Sequence, residues 1–295
     1  MAGSVYVNGR LTGESEAVIP VFDHGFLYGE GVYEVCRTYA GQIRLFGRHM
    51  ARLRASAALI ALPVPCDDAT LEARVHATLE HAGLRPWRPG APDAYIRLLL
   101  TRGVGELSYD PRLCPAPSLV IIARAHALPP DPVYADGVAV AIVGVERNRR
   151  QALNPRIKSN NLLNNALAMQ EALARGAFEA VMRNAEGRLA ECSQSNLFVV
   201  RGGRVLTPPV AEGLLPGITR AFVLELCASL SIPCDEAVLQ DDDLFGADEA
   251  FLTSTTREVV PIVRVDERPI GTGRPGPVVR QLLEAYRARV ATATQ

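Results

Sequence analysis

The sequence predicts an α+β fold in two domains, a small one at the N-terminus and a larger one at the C-terminus. Three observations predict it. At 295 residues the chain exceeds one average domain. Strand-like and helix-like runs are mixed in both halves. The stretch Ala127-Leu-Pro-Pro-Asp-Pro-Val133 is the one segment with linker composition. The domains are therefore expected at 1–126 and 135–295, with 127–134 as the linker.

The first half opens as a hairpin from Val5 that turns at Asn8-Gly9 and returns through residue 18. The glycines of Phe22-Asp-His-Gly-Phe-Leu-Tyr-Gly-Glu-Gly31 make a close-packed loop, after which Val32 to Tyr39 alternates as a strand. A turn at Ala40-Gly41 leads through Ile43–Phe46 into a helix from Gly47 to about Ile60. Asp67 or Asp68 caps a further helix through Leu71, Val75, Leu79 and Leu84. Ala94 to Thr101 and Ser118 to Ala123 read as strands, joined by Thr101-Arg-Gly-Val-Gly105 and a Pro-rich loop from Asp110 to Pro117.

The second half starts with a strand from Val138 to Val145 and reaches a helix beside Lys158. A hairpin follows, with strands Ala180–Arg183 and Arg188–Val200 and a turn at Ala185-Glu-Gly187. Gly213 to Arg220 leads into a helix ending near Ser231. Asp241 to Asp243 cap a short helix before a strand at Ala250–Leu252, and a last helix runs from about Pro277 to Val290.

Composition excludes several function classes. Apolar residues make up 48%, and the net charge of −1 argues against nucleic acid or an anionic membrane as partner. No apolar run is long enough to span a bilayer, and the first residues lack the basic and apolar regions of a signal peptide. A cytoplasmic protein is expected. The six cysteines show no C-x-x-C spacing and the histidines are scattered, so reduced thiols and no metal site are expected.

One residue stands out. Of the 31 basic side chains 30 are arginine, and the single lysine is Lys158. A surface charge can be either residue, but only a lysine amine can lose its proton and attack a carbonyl. A lone lysine fits a solvated surface charge as well as a Schiff-base nucleophile. Its setting favours the nucleophile: Pro155 fixes the approach, Leu162, Leu163, Ala166, Leu167 and Met169 recur at helical spacing, and four asparagines crowd beside it.

A lysine carrying an aldehyde cofactor needs three further features. A phosphate site is offered by Leu215-Pro-Gly-Ile-Thr219, which opens a helix, and by the hydroxyls of Thr253-Ser-Thr-Thr256. A carboxylate must hold the pyridine nitrogen protonated, and Glu191 near a strand end is placed for that. A fixed cation for the phosphate is needed, for which Arg52 is one candidate.

Taken in order, Asp23 to Glu34, His49-Met-Ala-Arg-Leu53, Thr101 to Gly105, Asn154-Pro-Arg-Ile-Lys-Ser159, Glu191, Gly217-Ile-Thr-Arg220 and Thr253–Thr256 resemble the fold-type IV pyridoxal-phosphate enzymes. This class holds branched-chain and D-amino-acid aminotransferases and aminodeoxychorismate lyase, and the resemblance covers nearly the whole chain. It implies a D-amino-acid-aminotransferase-like fold of two α+β domains with the site between them, a homodimer or higher homo-oligomer, and pyridoxal 5'-phosphate as cofactor. It further implies that Lys158 forms the aldimine and shuttles the proton, and that Glu191 pairs with the pyridine nitrogen. Arg52, Ile218, Thr219 and Thr255 would hold the phosphate, and Leu215 would pack on the ring.

Tyr95-Ile-Arg97 matches the Tyr-x-Arg strand of L-branched-chain enzymes. The resemblance implies that Tyr95 meets the substrate α-carboxylate and that Arg97 receives the side-chain carboxylate of glutamate. Tyr33, Thr255 and Thr256 complete the expected substrate contacts, with Phe22 and Tyr28 on the rim. The expected reaction is transamination between a branched-chain L-amino acid and 2-oxoglutarate. D-amino-acid transamination is the alternative: Arg112 is present, although Cys114 stands where such enzymes place a histidine, and Cys192–Ser195 and Ser254–Arg257 are nearer the D-type pattern. Leu163 replaces a tyrosine common in branched-chain enzymes. The lyase and a non-enzymatic scaffold are more remote; Tyr95 with Arg97 favours transamination.

Overall fold

The structure, a computed structural model, describes residues 3–292; the outermost positions of the expected domains, 1, 2 and 293–295, lie outside the described residues. The chain divides into two compact units. Among the described residues, one comprises 3–127 together with Ile157–Leu162, and the other comprises Leu128–Arg156 and 163–292.

In the first unit, β1 (Ser4–Val7) and β2 (Arg10–Gly13) form a hairpin around Asn8 and Gly9, both at positive φ. The return strand ends at Gly13, short of residue 18, because Gly13 already faces Ser4, the first residue of its partner strand. A single turn, α1 (His24–Leu27), leads into β3 (Gly31–Tyr39). The extended run after Gly41 stops with β4 (Gln42–Ile43), because Leu45 turns left-handed at φ 57° and α2 (Phe46–Leu59) starts there. Asp67 accepts the Thr70 N–H at 2.8 Å and so caps α3 (Asp68–His81).

With β5 (Ala94–Thr101) and β6 (Ser118–Ala125) the unit forms an antiparallel sheet in the order β2-β1-β6-β5-β3-β4. Strand alternation decides what β5 does. Ala94, Ile96, Leu98 and Leu100 join the core made with Met50, Leu53, Leu71, Val75 and Leu79 of the two long helices. Tyr95, Arg97 and Leu99 stay half-buried on the opposite face. Each of the larger core side chains is worth about 1.5–3 kcal/mol over its exposed state.

The second unit begins with one helical turn, α4 (Pro132–Ala135), and β7 (Val138–Ile142). Next comes α5 (Leu163–Ala174), and β8 (Glu179–Arg183) returns parallel to β7. The apolar spacing read from the sequence misjudges which face of α5 goes inward. Leu163 and Leu167 are 67% and 45% exposed, whereas Ala168 and Ala172 are wholly buried with Ala141, Ala180 and Met182. Small side chains let this helix lie close on the sheet, so the alanine stripe wins over the leucines.

The expected strand from Arg188 to Val200 is two strands, β9 (Leu189–Cys192) and β10 (Asn196–Arg201). Between them the Cys192 N–H donates to Ser195 C=O at 2.8 Å, and the hydroxyls of Ser193 and Ser195 donate inward to the buried Glu179 carboxylate.

Then follow β11 (Arg204–Thr207), α6 (Ile218–Ser229), β12 (Cys234–Glu236), α7 (Asp241–Phe245), β13 (Glu249–Ser254), β14 (Glu258–Val265), β15 (Arg268–Pro269) and α8 (Pro277–Thr292). The sheet order is β12-β11-β10-β13-β14-β7-β8-β9, with β15 on β14. Phe198 and Phe251 stack at 4.6 Å between ring centres on the neighbouring strands β10 and β13. Phe222 of α6 meets Tyr286 of α8 edge-on at 5.5 Å. No helix among the described residues is long and apolar enough to cross a membrane.

Candidate active site

Lys158 lies in an extended segment ahead of α5, which starts only at Leu163, so the lysine is not part of the helix. Its peptide is held at both ends. The N–H donates to Ser56 Oγ of α2 at 3.1 Å, and the C=O accepts the Tyr33 N–H of β3 at 2.9 Å. Ser159 bridges Val32, and the Asn160 N–H donates to Gly31 C=O at 2.9 Å. The segment thus adds itself to the start of β3. A Cβ on Gly31 would stand 2.5 Å from Asn160 Nδ2 and 2.6 Å from Leu100 O, so only glycine permits this approach.

Two cations share one aromatic ring here. Lys158 Nζ is 4.5 Å, and the Arg97 guanidinium 4.1 Å, from the centroid of Tyr33. Tyr33 and Arg97 lie on the half-buried face of β3 and β5, and Tyr95 follows on the same face, two residues before Arg97 and opposite Arg37. The first unit therefore brings Lys158, Tyr33 and Arg97 together.

Arg52 sits one helical turn before Ser56 on α2. Its Nε and Nη2 donate to Glu34 at 2.6 and 2.8 Å, and His49 Nδ1 lies 2.7 Å from the same wholly buried carboxylate. Burial raises the Glu34 carboxyl, but the charge and hydrogen bonds of Arg52 and those of His49 outweigh it and hold the group at about 2. The pair fixes the guanidinium in one orientation, as a fixed cation requires.

In the second unit Glu191 is 5% exposed. It accepts Arg147 Nε at 2.7 Å, the Leu215 N–H at 3.1 Å and Asn196 Nδ2 at 3.4 Å. Asn164 Oδ1 accepts Arg147 Nη1 and the Asn148 N–H, both at 3.3 Å, and Asn165 Nδ2 donates to Ser193 C=O at 2.7 Å. Two of the four asparagines near Lys158 are thus tethers of α5.

Asn196 also donates to Leu215 C=O at 3.0 Å, which sets the approach to α6. A Cβ on Gly217, the residue that starts α6, would be 1.9 Å from Asn196 Oδ1. The helix has no side-chain cap, so the first-turn N–H groups at Ile218 and Thr219 are available to an anion. Thr255 and Thr256 occupy the tip between β13 and β14; Thr253 and Ser254, expected past the strand, are its last two residues.

Two features of the second unit are what a phosphate-bearing ring would need. Ser254 Oγ is a buried hydroxyl with no hydrogen-bond partner among the described residues. The uncapped α6 terminus and the hydroxyl-bearing tip offer neutral donors, and Glu191 offers a fixed carboxylate. Ser56, Glu34, Arg147, Asn196 and Glu179 escaped the sequence reading. Ser56 alone carried a usable signal, its spacing of one helical turn from Arg52.

The geometry can be compared with known proteins. The family described as Amino-transferase class IV matches residues 31–265. A Methanocaldococcus jannaschii protein provisionally assigned as a branched-chain-amino-acid aminotransferase is 38% identical over 284 residues, covering 96% of this chain and 95% of its own. The D-alanine aminotransferase of Bacillus licheniformis is 32% identical over 295 residues, covering 98% of each. A solved T.th. branched-chain amino acid aminotransferase, complexed with N-(5'-phosphopyridoxyl)-L-glutamate, superposes with a TM-score of 0.89 at 30% identity, covering 99% of this chain and 95% of that one. With a lysine pinned beside a tyrosine and an arginine, a buried carboxylate, an anion-ready helix end and matches of this extent, the chain belongs to the class IV aminotransferases.

Proposed function

We propose that this aminotransferase moves an amino group between branched-chain L-amino acids and 2-oxoglutarate, with pyridoxal 5'-phosphate as cofactor. When bound, the cofactor supplies a carbonyl carbon and a ring that withdraws electrons from the reacting carbon. Lys158 Nζ would hold that carbonyl carbon at rest; once the substrate amine displaced it there, its freed amine would carry the proton to and from the substrate carbon. Its pinned peptide leaves only the side chain to move. Glu191, held by Arg147, would keep the ring nitrogen protonated. Ile218 and Thr219 with Thr255 bind the phosphate through neutral donors, Arg52 adds the fixed charge, and Leu215 packs on the ring.

The observation that carries the substrate reading is Arg97 stacked on Tyr33 beside the Lys158 amine. One pocket has to accept both an aliphatic chain and the carboxylate of glutamate. A guanidinium lying on an aromatic ring does both, because the ring partly compensates the charge when leucine is bound. Tyr95 takes the α-carboxylate, and Thr256 and Tyr33 complete the contacts. The relative solved with a phosphopyridoxyl-glutamate compound agrees with this reading.

The likeness to a D-alanine aminotransferase supports the D-amino-acid alternative. Against it, Arg112 is 87% exposed in its side chain and is bound to Asp110 by contacts of 2.6–3.0 Å, while Cys114 lies 3.3 Å from His24 Nδ1. That arginine already has its carboxylate. Arg97→Leu tests the choice: the reaction with glutamate should fall by at least about tenfold more than that with leucine, the size of one lost charge-assisted contact. Equal losses, or faster turnover of D-alanine than of L-leucine by the wild type, would contradict the L-branched-chain reading.

A homodimer in the cytoplasm completes the proposal. Phe26, Leu107 and Tyr109 of the first unit are 71%, 69% and 85% exposed, and a second copy covering them would remove three apolar side chains from water. A monomer mass in sedimentation would contradict the dimer.

A further inference from the structure

Arg257 and Glu179 are charged residues with no part in the chemistry above, yet they form one of the most buried ion pairs of the second unit. Glu179 is fully buried; Arg257 Nη1 donates to its Oε2 at 2.8 Å, and the hydroxyls of Ser193 and Ser195 donate to the same carboxylate. The guanidinium lies 5.0 Å over the Phe178 ring and its side chain is 19% exposed. A bulky cation one residue beyond Thr256 is therefore neutralised and immobilised.

The backbone there needs holding. Ser254 pairs with Glu258, so the β13–β14 connection is the three-residue loop Thr255-Thr256-Arg257. The chain leaves this loop through Glu258, which is left-handed at φ 62°, a conformation that glycine usually takes. A side chain at that angle is strained and persists only where its surroundings impose it. The Arg257 C=O accepts the Tyr134 hydroxyl at 3.1 Å, and Arg287 Nε donates to Glu258 Oε2 at 2.7 Å. The loop is clamped through its third residue, its carbonyl and its exit, while Ser254 Oγ at its entrance is buried with no hydrogen-bond partner among the described residues.

We propose that Glu179 is a positioning residue: through Arg257 it fixes the Thr255–Thr256 tip in the shape that receives the cofactor phosphate. This rests on the assignment of the tip to phosphate binding. Fully buried behind Arg257, Glu179 acts through that side chain, and its effect is confined to the phosphate end.

The test compares pyridoxal phosphate with pyridoxal, which lacks the phosphate, in titrations of the full-length protein freed of cofactor. The variant is Glu179→Gln with Arg257→Gln, which removes the clamp without leaving a buried charge unpaired. Affinity for pyridoxal phosphate should fall about ten- to thirtyfold, the size of one lost charge-assisted contact, with pyridoxal affinity unchanged. Arg257→Lys, which keeps a cation for Glu179, should restore most of the loss. Tyr134→Phe loosens the same loop by one hydrogen bond and should show the same phosphate-selective loss, smaller in size, even if the double variant folds poorly. Unchanged affinity, or equal losses for both probes in Tyr134→Phe, would overturn the clamp alone. A wild-type protein that binds no pyridoxal phosphate would overturn the clamp and the functional reading together.

Discussion

At Lys158 the backbone N–H and C=O are both spoken for, by Ser56 and Tyr33, so the amine swings from a fixed pivot. Borohydride reduction of the yellow protein should therefore fix the cofactor on Lys158, and peptide mapping is unambiguous because the chain has a single lysine. Lys158→Arg should keep the charge and the fold but abolish turnover, since a guanidinium does not attach to the aldehyde. Label recovered elsewhere, or an active arginine variant, would refute the role. For Glu191 the test is Glu191→Gln, which keeps the shape but removes the charge proposed to face the ring nitrogen. Turnover should fall about two to three powers of ten, the usual effect of such charge-stabilising groups. Unchanged turnover would make Glu191 a structural partner of Arg147 only.

Among the elements, α2 carries Arg52 and Ser56 on one face, and its tie to β3 runs through Glu34. The folded Glu34 carboxyl sits at about 2, below its ordinary 4.5. A depressed folded value means stability that is fully present above the unfolded value and lost as pH falls through the folded one. The stability difference between wild type and Glu34→Gln should hold steady above about pH 5 and shrink from there toward about pH 2, read from urea midpoints. A difference independent of pH would show that the ion pair with Arg52 does not stabilise the fold. The start of α6 gives a second test. Gly217→Ala forces Asn196 Oδ1 away from a Cβ contact of 1.9 Å and so loosens the side chain that donates to Glu191 and Leu215. A loss of about 1–3 kcal/mol is expected from such overpacking, measured by chemical denaturation, together with weaker cofactor binding. A variant as stable and as well loaded as wild type would contradict the close fit.

For the molecule as a whole, the α+β class, most helices and the strands β3, β5 and β6 were legible, because alternation and capping residues such as Asp67 act locally. Lys158, Tyr33 and Arg97, which lie around one ring, were legible as residue types in ordered motifs. What was not legible depends on packing across the chain. Nothing local marks Ile157–Leu162 as part of the first unit, since that placement is made by Gly31, Tyr33 and Ser56 from far upstream. The inward face of α5 followed its alanines because small side chains allow the close approach to the sheet, and the break at Ser193–Ser195 follows a carboxylate at Glu179 that pattern alone does not reveal. Arg147 was hidden among neighbouring arginines. The central claim, transamination of branched-chain L-amino acids, is tested most directly by the visible absorbance of the cofactor-loaded protein. Adding L-leucine should discharge the yellow band, and adding 2-oxoglutarate should restore it with release of glutamate. A band untouched by L-leucine but discharged by D-alanine would contradict the account.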